Sequence, residues 1–340
     1  PPPPPPPPLF PPPRRKTRFG FKSRGLGDVY KRQAYNEAQD AKAVAAHLGT
    51  DHTELYLSAK EAMLVIPELS TVYDEPFADS SQIPTILVSR MAADHVTVCL
   101  SGDGGDELFC GYNRYIWGRK VWRLLSRLPR PGRVALKQIL SAVAPRHWDS
   151  LFSLLQPVLP SSTHFTLPGD KIAKLCRVLD VSSLSDLYQK LVTHWEDPAL
   201  LVKGYEKPEQ ESRMRERLSG PCNDTLSMMH TDYLTYLPDD LLTKVDRASM
   251  AASLEVRVPY LDHQLFETVS RLPAGVRTEL RGGRGKVLLR DMLSEFVPSE
   301  LFERPKQGFS IPIGEWLRGE LRDWVESLID EKRLESQGLF

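Results

Sequence analysis

Residues 96–100, VTVCL, constrain the fold more than any other stretch of the chain. The run is short and apolar, and a Gly-Asp turn, GDGGD, follows it directly at 102–106. A strand buried on both faces of a parallel sheet reads this way. Helical patterns lie upstream. Residues 36–48 carry Ala38, Ala41, Val44, Ala45 and Leu48 at helical spacing before Gly49. Residues 59–73 place Met63, Ile66 and Leu69 on one face, and 83–93 form a third helix after the polar loop DEPFADSS at 74–81. Residues 52–57 read as a further short strand. Helix, strand, helix, helix, strand at this spacing predicts an α/β fold containing part of a doubly wound parallel sheet. After Tyr115 the strand signals fade. Segments 116–143, 181–195, 223–236, 239–254 and 285–296 look helical, and Pro129, Pro131, Pro145, Pro157, Pro160 and Pro168 break the connections. The expected organisation is an α/β part over 34–115 and a mainly α-helical region over 116–340.

The first 33 residues stand apart. Eight prolines, then Leu9, Phe10 and three more prolines, make neither helix nor sheet and predict a solvated polyproline-like arm. Such an arm serves as a proline-rich ligand or a basic targeting segment in some chains, but no apolar stretch follows that would make it a secretory signal. Residues 25–33, GLGDVYKRQ, look like a translated cloning or sequencing tail, and the expectation is that 1–33 lie outside the fold.

Composition narrows the function classes. The chain has 44 basic and 44 acidic residues, which argues against a general nucleic-acid binder with its net basic field. No apolar run approaches the ~18 residues of a membrane span. Cys99, Cys110, Cys176 and Cys222 are far apart with no CxxC pair, so reduced cysteines in a cytoplasmic protein are expected rather than a zinc site or a disulfide framework.

Three segments carry candidate chemistry. In 100–112, LSGDGGDELFCGY, the glycines Gly102, Gly104 and Gly105 let the backbone turn sharply at the carboxyl end of a strand, where open α/β sheets bind ligands. Asp103, Asp106 and Glu107 put three carboxylates into five residues, which suits a Mg²⁺ site or a general base; equally, Asp106 or Glu107 could cap the next helix. In 239–262, Leu241, Leu242, Val245, Met250 and Leu254 form a helix face and Lys244, Asp246, Arg247, Glu255 and Arg257 supply alternating charge. A solvated helix with ion pairs explains most of this. Arg257, between Val256, Val258 and Pro259, reads instead as a buried arginine that meets a carboxylate or phosphate. In 304–312, RPKQGFSIP, Arg304 and Lys306 project from a loop either as surface charges or as anion ligands.

The three segments in this order resemble the synthetase domain of class B, glutamine-hydrolysing asparagine synthetases. The resemblance runs from about residue 34 to the C-terminus and includes YNEAQDAKAVAAHLGTDHTEL, DEPFADSSQIP, LSGDGGDELFCGYNRY, DDLLTKVDRASMAASLEVRVPYLD, GRGKVLLRDML and RPKQGFSIPIGEWLR. It implies a sheet of the adenine nucleotide alpha-hydrolase type and an AMP-forming ligase with ATP and Mg²⁺ as cofactors. Aspartate would be amidated through β-aspartyl-AMP by glutamine-derived ammonia. Residue by residue, Asp106 matches the family's Mg²⁺-pyrophosphate carboxylate. Asp103 matches an acidic position facing the intermediate, and Lys306 a lysine reaching the phosphates, with Lys286 a second such candidate. Leu100, Ser101, Gly102 and Gly104 would flank the nucleotide. Glu107, Lys244, Asp246, Arg247, Glu255 and Arg257 would shape the pocket and the ammonia path, Glu107 with a catalytic share. The family's SGG-x-D-S pyrophosphate loop, expected upstream of Asn36, and the glutaminase domain with its exposed cysteine are missing from the text of the chain. The resemblance therefore implies a fragment cut at both ends, inactive alone, from a full-length protein that forms a homodimer. Scaffold relatives leave two rivals: an amidotransferase or β-lactam synthetase-like ligase acting on another carboxylate, and a non-catalytic module using the proline arm.

Overall fold

The computed structural model describes residues 38–55, 58–144, 147–148, 150, 168–193, 200, 202, 204–205, 224–303, 311 and 313–338, and these are mostly helical with one small parallel sheet. In chain order the first elements are α1 (Ala38–Leu48), α2 (Ala59–Val65), α3 (Leu69–Tyr73), α4 (Gln82–Ala93) and β1 (Val98–Leu100). A single turn, α5 (Gly105–Leu108), follows, then α6 (Asn113–Leu125), α7 (Arg130–Ser141), α8 (Pro168–Leu179), α9 (Leu184–Val192) and α10 (Asp224–Leu234). A π-helical stretch, Leu237–Leu242, runs into α11 (Thr243–Ala251), and β2 (Glu255–Arg257), α12 (His263–Ser270), α13 (Ala274–Arg277) and α14 (Val287–Ser294) come next. Three short helices close the chain: α15 (Ile313–Arg318), α16 (Arg322–Leu328) and α17 (Glu331–Gln337). No described helix is long and apolar enough to cross a membrane.

The chain divides into two units, the first drawn from Pro1–Ser101, Asp239–Pro259 and Leu289–Ile329, the second from Gly102–Pro238, Tyr260–Leu288 and Asp330–Phe340. In the first unit β1 and β2 pair in parallel, Val98 with Glu255, Cys99 with Val256 and Leu100 with Arg257. Backbone bonds at both ends extend the ladder, from Glu255 N to Thr97 O at 2.9 Å and from Ser101 N to Arg257 O at 2.8 Å. The expected strand at 96–100 is therefore present, but it is not buried on both faces. Only Cys99 and Val256 turn inward by half, because a strand is covered twice only when helices and further strands flank it. Residues 51–55 form no strand, which corrects the expectation for 52–57 over its described part. The second strand arises instead at 255–257, inside the region read as helical.

The core of the first unit gathers Ala62, Val65, Tyr73, Ile83, Ile86, Ala248, Ile311, Trp316 and Leu321. In α2 the inward face is thus Ala62 and Val65, while Met63 is exposed. A capping box starts this helix: the Ser58 hydroxyl accepts from Glu61 N at 3.3 Å and Ser58 N donates to Glu61 Oε2 at 2.8 Å. Helix α11 packs on α3 and α4, and a buried ion pair fixes it there. Lys244 Nζ donates to Asp79 Oδ2 at 2.5 Å and to Ser81 Oγ at 2.8 Å, just ahead of α4. Burial alone would raise the Asp79 pKa, but the Lys244 charge and the Ser81 bonds overcome this and hold it below the usual carboxylate range.

In the second unit, α6, α9 and α10 pack around Cys110, Tyr115, Tyr188, Met228 and Met229, and a neighbouring cluster is built on Leu125, Val178, Leu179, Val181 and Leu187. Within 116–143, Pro129 separates α6 from α7, a break that its fixed φ and missing N–H lead one to expect. Buried Arg133 donates to the carbonyls of Leu179 (3.1 Å) and Val181 (2.8 Å), satisfying acceptors that the end of α8 leaves open. Asp180 receives Lys137 at 2.7 Å and Lys190 at 2.9 Å, joining α7, α8 and α9.

Replacing Lys244 by Met leaves the Asp79 carboxylate without its charge partner, and denaturant unfolding should record a loss of about 3–5 kcal/mol; a loss below about 1 kcal/mol, the range of a surface pair, would contradict this burial. Burial resists the Asp180 charge but the two lysines lower its pKa to about 2. With an unfolded value of about 3.9, its stabilisation is complete above that pH and is lost as pH falls toward about 2. Lys137→Met/Lys190→Met should therefore unfold at a higher pH than the parent in an acid titration followed by circular dichroism.

Candidate active site

The turn after β1 is shaped by glycine. Gly104 caps α5 at φ +77°, and a Cβ there would come within 2.6 Å of Leu261 Cδ2. Neither Asp106 nor Glu107 caps the helix; both lie in its first turn. Their side chains meet different surroundings. Glu107 is 2% exposed, its Oε1 accepts from Tyr112 Oη at 2.6 Å, and its Oε2 has no hydrogen-bond partner among the described residues. Burial raises its pKa against the lowering effect of the Tyr112 bond. Asp106 is half-buried and faces the Lys286 ammonium, 3.0 Å from Oδ2. Asp103 is half-buried in the same turn.

Lys286 reaches Asp106 because four glycines, Gly111, Gly282, Gly283 and Gly285, let the segments interlock. Arg281 and Arg284 exchange backbone bonds at 3.0 and 3.1 Å across Gly282 and Gly283, whose φ of +59° and +75° form a primed hairpin turn. The chain then passes Gly285, where any Cβ would overlap the Cys110 carbonyl oxygen, and Lys286 sits at φ +57° with its N–H on Phe109 O at 2.9 Å. A Cβ at Gly111 would likewise overlap Asp106 Oδ1 and Lys286 Cε. The ammonium thus stands where a cation is wanted. Among the described residues no group of three or more His, Cys, Asp or Glu could hold a metal ion. Mg²⁺ in phosphate chemistry commonly takes only one or two carboxylates and completes its shell with phosphate oxygens and water. Asp106 offers one such carboxylate, with its charge shared by Lys286.

The other sequence candidates belong to the first unit. Leu100 is 71% exposed, and Ser101 is half-buried. Lys244 is committed to Asp79 and Ser81. Asp246 and Arg247 are exposed, Arg247 on Asp74 at 2.6 Å. Arg257 corrects an expectation: its side chain is 65% exposed and pairs with Glu255 at 2.7 Å on the same strand face. Strand alternation explains this, since Val256 takes the inward position and both neighbours turn away. Arg304 and Lys306 lie outside the described residues. In the second unit, sequence reasoning missed Tyr112, Arg114 and Asp232, whose contacts end on Glu107. The aromatic and basic alternation of GYNRY was an available signal for the first two; nothing near Asp232 announces its partners.

A family model described as asparagine synthase matches residues 17–340. The chain belongs to the asparagine synthase family. It is 31% identical over 309 residues to Asparagine synthetase [glutamine-hydrolyzing] 1 of Bacillus subtilis, covering 90% of this chain and 45% of that protein. It is 32% identical over 301 residues to a putative asparagine synthetase [glutamine-hydrolyzing] of Mycobacterium tuberculosis, covering 88% and 43%. A more distant relative is Amidase chry2 of Gibberella zeae, at 22% over 311 residues, 89% and 45%. The chain thus spans somewhat under half the length of these curated relatives.

Because the Gly285 position abuts backbone, Gly285→Ala should cost about 1–3 kcal/mol in denaturant unfolding and part Lys286 from Asp106 in a crystal structure. An alanine variant of parental stability with that ion pair intact would overturn the interlock.

Proposed function

We propose that this chain carries the ATP-dependent, amide-forming part of a glutamine-hydrolysing asparagine synthetase, on a sheet of the adenine nucleotide alpha-hydrolase type. The supporting observation is the Asp106–Lys286 ion pair, held by glycines at the turn that follows a parallel strand, in a member of the asparagine synthase family. A carboxylate and a cation at one turn suit the handling of a magnesium-bound polyphosphate.

In this proposal a carboxylate oxygen of aspartate bonds to the α-phosphorus of ATP as the bond to pyrophosphate breaks, giving β-aspartyl-AMP. Glutamine-derived ammonia, supplied by a glutaminase domain, then forms the C–N bond while AMP leaves, and Asp103 accepts the surplus proton. Mg²⁺ held through Asp106 would supply charge neutralisation at the leaving phosphates. Lys286, paired with Asp106, adds a second positive charge there, and Lys306 would be a further one by its match to the family's phosphate-reaching lysine. Leu100, Ser101, Gly102 and Gly104 would flank the nucleotide. Lys244 would act on the pocket indirectly, by holding the Asp79–Ser81 loop, while Asp246, Arg247, Glu255 and Arg257 would border the aspartate and ammonia approach. Distant relatives carry the name amidase, and a second reading keeps this scaffold but lets the same adenylylation serve another carboxylate.

The test is an assay of the full-length protein with ATP, aspartate and ammonium, reading pyrophosphate and asparagine. Asp106→Asn should lower pyrophosphate release by about a hundredfold or more in a protein that still melts cooperatively. Parental turnover would refute the role of Asp106. Pyrophosphate release that depends on a different carboxylate, without asparagine, would transfer the assignment to the second reading.

A further inference from the structure

The four-residue helix α5 cannot hold itself in place, because one hydrogen-bonded turn does not repay its own ordering. Its position comes from α10, on which it packs, and from a chain of contacts that starts at Asp232 on that helix. Asp232 is 1% exposed, and among the described residues its hydrogen bonds converge on one oxygen, Oδ2. Arg114 donates to it from Nε at 3.1 Å and Nη2 at 2.6 Å, Tyr115 Oη at 2.6 Å and Tyr188 Oη at 2.6 Å. The other oxygen, Oδ1, has no hydrogen-bond partner among the described residues. Arg114 Nε also donates to Tyr188 Oη at 2.8 Å. So held, the guanidinium lies over the Tyr112 ring, 3.7 Å from its centroid, and over the Tyr236 ring at 4.6 Å. Tyr112 in turn gives its hydroxyl to Glu107, the residue after Asp106.

An ordinary core ion pair would explain Arg114 and Asp232 alone. It does not explain why the network ends on a second buried carboxylate that keeps a bare oxygen. Burying Glu107 in this way is costly, and a cost of that kind persists where the surroundings over-determine it.

We propose that Arg114, anchored by Asp232, is a positioning residue for the acidic turn: its guanidinium clamps the Tyr112 ring, the Tyr112 hydroxyl fixes Glu107, and α5 thereby aims Asp106 at the phosphates. The inference rests on the functional reading of Asp106 given above. It requires arginine rather than lysine, since only the flat guanidinium both forks onto a carboxylate and stacks on two rings.

The test combines Tyr112→Phe, Arg114→Lys and the double variant in the full-length protein. Arg114→Lys keeps a charge opposite Asp232, so it is the variant that retains the fold where Arg114→Met would leave that aspartate uncompensated; melting curves check this. The Glu107 carboxyl band is read by infrared spectroscopy on glutamate labelled with carbon-13, assigned by its loss in Glu107→Gln. Each single variant should shift that band and lower kcat for pyrophosphate release by about ten- to a hundredfold, with KM for ATP changed by no more than about threefold. The double variant should be no worse than the poorer single one, because both changes break one chain of contacts. Multiplying losses, or a band that stays in place in Arg114→Lys, would overturn the positioning role. A parent protein that releases no pyrophosphate would defeat the functional reading instead, and the band alone would then decide whether Arg114 positions Glu107.

Discussion

The buried ammonium of Lys244 is the interaction on which the first unit depends. It joins α11, from the middle of the chain, to the loop that launches α4, some 165 residues earlier. The Tyr73 hydroxyl donates to the Lys244 carbonyl at 3.3 Å, and the Tyr73 ring stacks on Phe77 with centroids 4.9 Å apart, so the same lysine organises α3 through its backbone. Apolar packing could bring these helices together in several registers. A charge that finds one carboxylate and one hydroxyl at hydrogen-bonding distance permits a single one. Buried pairs of this kind contribute modestly to net stability but are expensive to break. Here that asymmetry selects the docking that sets β2 beside β1.

The second unit solves the same problem with aromatic surfaces. Its ionic centre is an aspartate rather than a lysine, and four donors converge on it from α6 and α9. The burial of Arg114 opposes its charge, yet Tyr188 and Asp232 outweigh that and raise its pKa. Around it the rings of Tyr112, Tyr115, Tyr188 and Tyr236 pack edge-on or tilted, which combines large apolar area with hydroxyls that can reach partners. The acidic turn is attached to this cluster through its own tyrosine. Its other attachment, Lys286 on Asp106, depends on backbone approach that only glycine allows.

Much of this was readable in the residues, for identifiable reasons. Helix α4 and strand β1 carry periodic or bounded apolar patterns long enough to register, whereas the single helix read over 59–73 divides into α2 and α3 around a 3₁₀ turn, Ile66–Glu68, that contains Pro67. Strand β2 was missed because three residues, Glu255–Arg257, show no period of their own after a helical stretch. Arg257 was misjudged because apolar neighbours in sequence say little in a strand, where alternate side chains leave opposite faces. At the candidate site, the glycine and acidic residues were legible as a turn with chemistry. The split between an inward Glu107 and a cation-facing Asp106 was not, because it depends on Tyr112, Arg114 and Asp232, and the last lies more than a hundred residues away. Lys306 falls outside the described residues.

The composition of the first unit's core has a consequence for how the chain is made. Ala62 and Ile86 share that core with Ala248, Trp316 and Leu321, so its members leave the ribosome at widely separated times. The apolar faces of α2, α3 and α4 must wait, uncovered, while more than two hundred residues are synthesised. Long-range closure of this sort is slow and leaves surfaces open to association. Vectorial synthesis therefore orders the assembly: residues 102–192 can begin to pack their own helices early, and the segment carrying Lys244 completes its neighbourhood later. Ile311, Trp316 and Leu321 follow later still. A nascent chain paused before Trp316 would present a half-covered core to the chaperones that attend it.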